Sequence, residues 1–416
     1  MRTAETSEQV STRCCIVGGG PAGMMAGFLL ARAGINVVVL EKHADFLRDF
    51  RGDTIHPSTL DLMYELGLLE EFLKQPHQTI EHLSGFFGST RIRLADFTHL
   101  PTHCRFVALM PQWHFLNFLA DHAKRYPTFR LLMRAEATDL ITQDGHVGGV
   151  TATTPEGTLQ IRSDLVIAAD GRHSAMRERA GFRVTDLGAP MDVFWMRLSR
   201  RADDPEDVLG RFAAGALFVM LDRGDYWQCA YVIEKGSADA VREKGIAAFR
   251  DKVAAIAPEM CDRIDELRSF DDVKLLTVAV DRLETWHKPG LLCIGDAAHA
   301  MSPIGGVGVN LAVQDAVAAA NILAAPLSRG APAESDLATV QRRRMFPTRA
   351  TQWLQVVVQN RVISPLLASR TQPAPPWPAR LISRCPFLQR IPARIVGVGF
   401  RPEHVHTPSL PAGEGG

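Results

Sequence analysis

Three turns, each carrying glycine at the carboxyl end of a buried strand, predict an α/β chain built on a Rossmann-type dinucleotide-binding sheet, because open α/β sheets hold ligands at those strand ends. The first turn is Gly18-Gly19-Gly20-Pro21-Ala22-Gly23, entered from an apolar run at 14–17. The second is Asp170-Gly171, closing the run 165–169, and the third is Gly295-Asp296, closing 291–294. Between the second and third turns, residues 184–283 change character to aromatic, alternating strands plus a helix, which predicts a mixed-sheet domain inserted into the first.

Composition sets the frame. The chain has 416 residues, and Lys plus Arg equals Asp plus Glu at 46 each. No global charge draws it to nucleic acid or to an anionic membrane. Its seven cysteines, at 14, 15, 104, 229, 261, 293 and 385, form no C-x-x-C pair, which fits a reducing compartment and offers neither a disulfide framework nor a metal site. The first twelve residues are polar, and no apolar run reaches the roughly 20 residues that span a bilayer. The expected setting is the cytoplasm.

The elements follow in order. Residues 14–17 form the first strand, 21–33 the first helix and 35–40 the second strand, a βαβ unit with its fingerprint in the required context. Gly18 allows the tight turn, Gly20 lets the backbone approach a pyrophosphate, and Gly23 lets helix and strand pack closely. Pro21 suits a first helical turn, whose N–H groups are unpaired anyway, and Ala22 follows it. The diphosphate then lies on the helix amino terminus. Glu41, followed by Lys42, is placed to accept a bond from a ribose hydroxyl. Arg51 and His56 come next, ahead of a helix at 57–66, and Gln112 stands just before a helix at 113–125. Strand patterns at 129–133, 138–142, 146–153 and 158–161 read as a small antiparallel layer.

The inserted block, 184–283, contributes strands at 193–198, 216–221 and 227–233, a helical stretch at 238–257 and a strand at 273–280. Its aromatic strands make one wall of a pocket facing the ligand, with Tyr226 and Gln228 as candidates to face a substrate. The first domain then resumes. In the run from Gly295 to Asn310, Asp296 can hold a sugar or ribityl hydroxyl. Pro303 stiffens a loop whose Gly305, Gly306 and Gly308 let bare backbone lie against a flat ring. The loop feeds a helix at 311–324, and the amino-terminal N–H groups around Gly308, Val309 and Asn310 can bond a flavin's pyrimidine oxygen and favour the negative charge of the reduced ring. Three such loops along one extended dinucleotide point to FAD.

These motifs resemble those of the class A flavoprotein monooxygenases, the aromatic-hydroxylase family that includes para-hydroxybenzoate hydroxylase and the ubiquinone-biosynthesis hydroxylases. The G-x-G-x-x-G of that family matches Gly18, Gly20 and Gly23, its ribose-binding acid matches Glu41, and its FAD-contacting arginine looks like Arg51. Gln112 falls where the family commonly has Arg or Gln near the pyrophosphate. The D-G motif matches Asp170 and Gly171, and the G-D motif with P-x-x-G-x-G-x-N matches Gly295, Asp296, Pro303, Gly306, Gly308 and Asn310. The resemblance covers roughly residues 12–355. It implies a three-layer ββα, glutathione-reductase-like FAD-binding domain in two parts, 1–183 and 284–355, around a substrate domain at 184–283, with a tail at 356–416.

It also implies an activity. NAD(P)H reduces FAD, dioxygen adds to give a C4a-hydroperoxide, and an aromatic or quinol-like substrate takes one oxygen atom. No catalytic base is assigned; His56, Tyr226 and Gln228 are weak candidates, and His299 lies near a flavin loop. A reductase saturating C=C bonds shares the same FAD grip. A halogenase would need a W-x-W-x-x-I-P pattern, which is missing, and a flavin-binding assembly partner would show no turnover.

The tail carries Arg380, Arg384, Arg390, Arg394 and Arg401 among apolar residues, with no acid between 379 and 402. It is expected to pack on the protein or a homodimer interface, and as a basic amphipathic segment it could also touch the inner membrane surface. Residues 408–416 are expected to be disordered.

Overall fold

A computed structural model of the chain describes residues 8–47, 54–204 and 210–410. Its principal sheet has eight strands. Their order runs His287–Lys288, Leu291–Cys293, Gly157–Ala168, Glu8–Val17, Val37–Glu41 and Phe129–Met133, with a hairpin of Glu136–Gln143 and His146–Thr154 added to Gly157–Ala168. The three strands that end in the glycine-bearing turns are neighbours. Val17 pairs with Ala168, and Ala168 pairs with Cys293, all in parallel register. Residues 14–17 and 37–41 are buried throughout, as strands covered on both faces require.

Two elements differ from the sequence reading. Phe129–Met133 is a parallel edge strand of the main sheet, paired with Val37–Glu41, and not part of an antiparallel layer. The expected pieces at 158–161 and 165–169 are one twelve-residue strand, Gly157–Ala168. Its first half pairs antiparallel with His146–Thr154, while the whole strand runs parallel to Glu8–Val17. The polar residues 162–164 alternate along this continuous strand, with Arg162 exposed, Ser163 buried and Asp164 half-buried.

The fingerprint helix, Pro21–Arg32, packs against the helices Gln112–Ala123 and Gly308–Arg329. The last of these lies in Ile304–Arg329, which has an 18-residue window apolar enough to cross a bilayer, yet 78% of that window is buried inside the protein. It is a core helix. The long helix Glu334–Val358 runs beside it.

The second sheet has seven strands, ordered Lys274–Leu276, Met191–Ser199, Tyr226–Glu234, Ala216–Asp222, Gly210–Ala213, His82–Phe87 and Thr90–Asp96. The last two come from the first part of the chain, so the sheet reaches outside residues 184–283. One face, with Phe194, Met196, Phe218, Trp227, Cys229 and Tyr231, packs on Phe249 and Val253 of the helix Gly245–Ile256. Gly245, at φ 83°, divides the expected helix at 238–257 into Ala238–Glu243 and Gly245–Ile256. The opposite face turns inward. Val193, Trp195, Val219, Ala230 and Val232 meet Ile304 of the third loop and Ile363, Leu366 and Leu367 of the tail.

The tail is ordered as helices Trp377–Arg384 and Pro386–Gly397 against the edge strand Thr90–Asp96. Pro386 opens the second helix, where a missing N–H costs nothing. Residues 408–410 depart from the expected disorder: the Leu410 N–H donates to the Arg32 carbonyl at 2.9 Å, and Arg32 Nη1 donates to the Thr407 carbonyl at 3.1 Å. Residues 411–416 lie outside the described part.

Candidate active site

The three turns converge because their glycines leave no room for anything else. Gly18 has φ 106°, and a Cβ there would stand 2.3 Å from the Ala169 carbonyl oxygen, so the first turn lies directly on the second. A Cβ on Gly23 would stand 1.9 Å from the Gly18 oxygen, which fixes the helix against its own turn. Gly295 has φ 58°, and its Cβ would meet Ala22 at 3.1 Å and Ala312 at 3.2 Å. The third turn is thereby seated on the fingerprint helix. Gly20 and Gly171 are different: nothing lies within 4 Å of a Cβ built on either. At Gly20 the bare backbone borders open space at the amino end of Pro21–Arg32, the geometry a pyrophosphate needs.

The acidic groups divide into two kinds. Glu41 is buried, and its two oxygens accept from the backbone N–H groups of Gly19 and His43, each at 3.0 Å. Those bonds aim the carboxylate beside the first turn. Lys42 beside it is exposed. Asp170 turns back into its own chain: its oxygens accept from Ser174 Oγ at 2.5 Å and from the Met176 N–H at 3.2 Å, at the start of the short helix Ala175–Arg179. Burial lifts its carboxyl above the usual range against those bonds. Asp296 remains partly exposed and faces Arg172 of the second loop at 3.6 Å.

The third loop is held by side chains from three elements. Asn310 Oδ1 accepts from the His56 N–H at 2.9 Å and from Thr59 Oγ1 at 2.7 Å, and its Nδ2 donates to the Thr54 carbonyl at 3.0 Å. Its side chain is therefore a clamp on Thr54, His56 and Thr59. Thr54 Oγ1 donates to the Gly306 carbonyl at 2.8 Å, and a Cβ on Gly306 would meet that oxygen at 2.3 Å. Gln355 brackets the loop: its Oε1 accepts from the Ser302 N–H at 3.1 Å and its Nε2 donates to the Ser302 and Ile304 carbonyls at 2.9 and 3.0 Å. Pro303 and Gly305 (φ 77°) shape the turn, and Gly308 and Val309 open the helix whose first N–H groups have no partner within it.

Beneath the third turn lies a charged cluster that the sequence reading did not find. Asp315, fully buried, accepts from the Gly295 N–H at 3.1 Å, bonds His299 Nε2 at 2.6 Å and accepts from Arg344 Nε at 2.8 Å. Burial by itself raises its carboxyl, but His299 and Arg344 outweigh that and hold it below the usual carboxylate range. Arg344 Nη1 reaches Glu403 of the tail at 3.2 Å. A lone Asp inside an alanine-rich helix was the available signal, since such a group survives burial only when paired. His299 is thus part of the floor.

The remaining candidates are scattered. Gln112, buried, is the first residue of the helix Gln112–Ala123. Arg51 lies outside the described residues. His56 is buried 340 residues away in sequence from its partner, the Val396 carbonyl, at 2.7 Å, and burial pushes its ring down to about 4. Tyr226 and Gln228 share the inward face of the seven-stranded sheet. Arg197 stacks 3.7 Å over the Tyr226 ring, and Arg223 Nε donates to Gln228 Oε1 at 3.1 Å.

Comparison with known proteins agrees with this geometry. The family described as "FAD binding domain" matches residues 11–354. The chain is 32% identical over 389 residues to the 6-methylpretetramide 4-monooxygenase of Streptomyces rimosus, covering 92% of each. It is 25% identical over 346 residues to the para-nitrophenol 4-monooxygenase of Pseudomonas sp. strain WBC-3, covering 80% of this chain and 82% of that one. The crystal structure of a p-nitrophenol 4-monooxygenase from Pseudomonas putida shares the fold with a TM-score of 0.74 at 19% identity, over 93% of this chain and 97% of that one.

Proposed function

The chain belongs to the FAD-binding class A flavoprotein monooxygenases and is an FAD-dependent aromatic monooxygenase; we propose that its substrate is an electron-rich phenol of fused rings and that NAD(P)H is the electron donor. The observation that supports the substrate class is the inward sheet face, where half-buried Trp195 and Val219 lie in one apolar cluster with Ile304 of the third loop, beside Ala230 and Val232 packed with Ile363, Leu366 and Leu367. The extent of similarity to a monooxygenase named for the polycyclic 6-methylpretetramide points the same way.

Bound FAD supplies the reduction and oxygen-activating chemistry. The chain's residues do the rest. Gly18, Gly20, Pro21, Ala22 and Gly23 cradle the pyrophosphate, Glu41 takes a ribose hydroxyl, and Asp296 takes a ribityl hydroxyl. The N–H groups of Gly308, Val309 and Asn310 bind at the pyrimidine edge, where the helix dipole favours negative charge by typically about 0.3–1 kcal/mol. Gln228, held by Arg223 Nε, is the candidate to bond a phenol oxygen, and the guanidinium of Arg223 would favour the phenolate. The apolar wall keeps water from the reacting ring.

The test is oxygen uptake and NAD(P)H oxidation with fused-ring and single-ring phenols. Hydroxylated product at one oxygen per donor, with fused-ring phenols preferred, supports the reading. Preference for single rings, or substrate reduced with no oxygen consumed, sinks it.

A further inference from the structure

The two tail helices carry the same pattern twice, ten residues apart. Trp377, Arg380, Leu381 and Arg384 recur as Phe387, Arg390, Ile391 and Arg394, an aromatic, an arginine, an aliphatic and an arginine at i, i+3, i+4 and i+7. That spacing places each quartet on one helix face. The opposite face is the one that packs. Ser383 Oγ accepts from the Arg93 N–H of the edge strand at 3.2 Å, while Gln389, Ala393 and Gly397 are buried. A Cβ on Gly397 would stand 2.8 Å from Leu100. Both helices are therefore anchored by their inner faces, and both quartets point to solvent.

The solvent-facing apolar groups are large and uncovered: Trp377 is 72% exposed, Phe387 71%, Ile391 54% and Leu381 46%. Between residues 379 and 402 the only charged residues are arginines, in a chain whose charges balance overall, so the rest of the molecule is net negative. Arg93 on the adjoining strand is also exposed and adds to the same sign. We infer that this repeated strip is an interfacial surface for a membrane leaflet carrying anionic phospholipid. Rings and aliphatic chains enter the acyl boundary while the guanidinium groups, on long apolar stems, meet the phosphates. A second copy is the wrong partner for such a face, because a two-fold contact would oppose arginine to arginine. A fluid surface needs no matching shape, which suits side chains standing singly clear of the protein. The strip adjoins the site: Val396, at the end of the second helix, lies 4.0 Å from a Cβ built on Gly305 of the third loop.

The experiment is flotation of the FAD-loaded protein with vesicles of neutral phosphatidylcholine alone or with about 30% phosphatidylglycerol. Binding is expected only with the anionic lipid and is reversed by high salt. The pairs Trp377→Ser with Phe387→Ser, and Arg384→Gln with Arg390→Gln, are each expected to weaken it about tenfold or more. Their flavin content and melting temperature stay unchanged, because these side chains are exposed. No binding to anionic vesicles overturns the inference, as does equal binding to neutral ones or binding that both double variants retain. It is equally overturned if light scattering shows a dimer that Trp377→Ser with Phe387→Ser dissociates.

Discussion

The floor of the site and its wall are built on opposite principles. The floor is backbone: bare glycines at Gly18, Gly23 and Gly295 let three chain segments touch, with the nearest atoms so close that no side chain fits. The wall is side chains, a sheet face of Trp195, Val219, Ala230 and Gln228 that any of several apolar or polar residues could fill. A floor of this kind tolerates almost no change and binds one ligand. A wall of that kind can be altered residue by residue to suit another substrate.

The sharpest way to break the comparison is at Gly23. Gly23→Val puts carbon where the Gly18 oxygen already stands, so no FAD-loaded protein should be recovered, as read from the ratio of visible to ultraviolet absorbance. A yellow, soluble variant would mean that the turn is not constrained as described. Next is the charge beneath the floor. Arg344→Gln removes the guanidinium that Asp315 and Glu403 share, leaving Asp315 with the Gly295 N–H and His299 and Glu403 with Arg343, a loss of about 3–5 kcal/mol when one member of a buried pair is removed. Thermal melting should show it as a drop of many degrees.

A smaller effect joins floor to tail. His56 is neutral in the fold, with its ring pushed down to about 4 by burial, whereas an unfolded histidine titrates near about 6.5. As pH falls through that window the unfolded chain takes the proton first, so stability is lost between those values and is flat above them. The loss is on the order of 3 kcal/mol by pH 4, and His56→Gln should remove that part of the pH slope in denaturant titrations. The smallest effect belongs to the wall. Gln228→Ala should raise KM for a phenolic substrate about tenfold while FAD content is unchanged. If it empties the flavin site instead, wall and floor are not separable.

The same contrast explains what could be read from the chain. Glycine turns announce themselves because close backbone approach demands one residue type at set intervals, so all three loops and their strands were legible. Arg172, Gln355 and Arg344 were not. Each acts on a loop far away in sequence, and nothing local marks a glutamine on a long helix as the residue that brackets Ser302 and Ile304. The strands His82–Phe87 and Thr90–Asp96 were not read from the sequence, and neither was their joining to the second sheet, since no local pattern names a strand's neighbour. Asn310 was found for its place in a motif, yet its amide serves the protein, clamping Thr54 and His56, and not the ligand directly.

Glu403 completes a charge cluster whose other members, Asp315 and Arg344, are translated dozens of residues earlier, and Leu410 closes onto the end of the first helix. The ribosome must therefore release the segment around Glu403 before the interior can be electrically balanced. Until then the nascent chain holds an arginine facing inward without its full complement of anions. Maturation of this enzyme waits on the segment around Glu403, and a chain stopped before residue 403 would carry Arg344 without that partner.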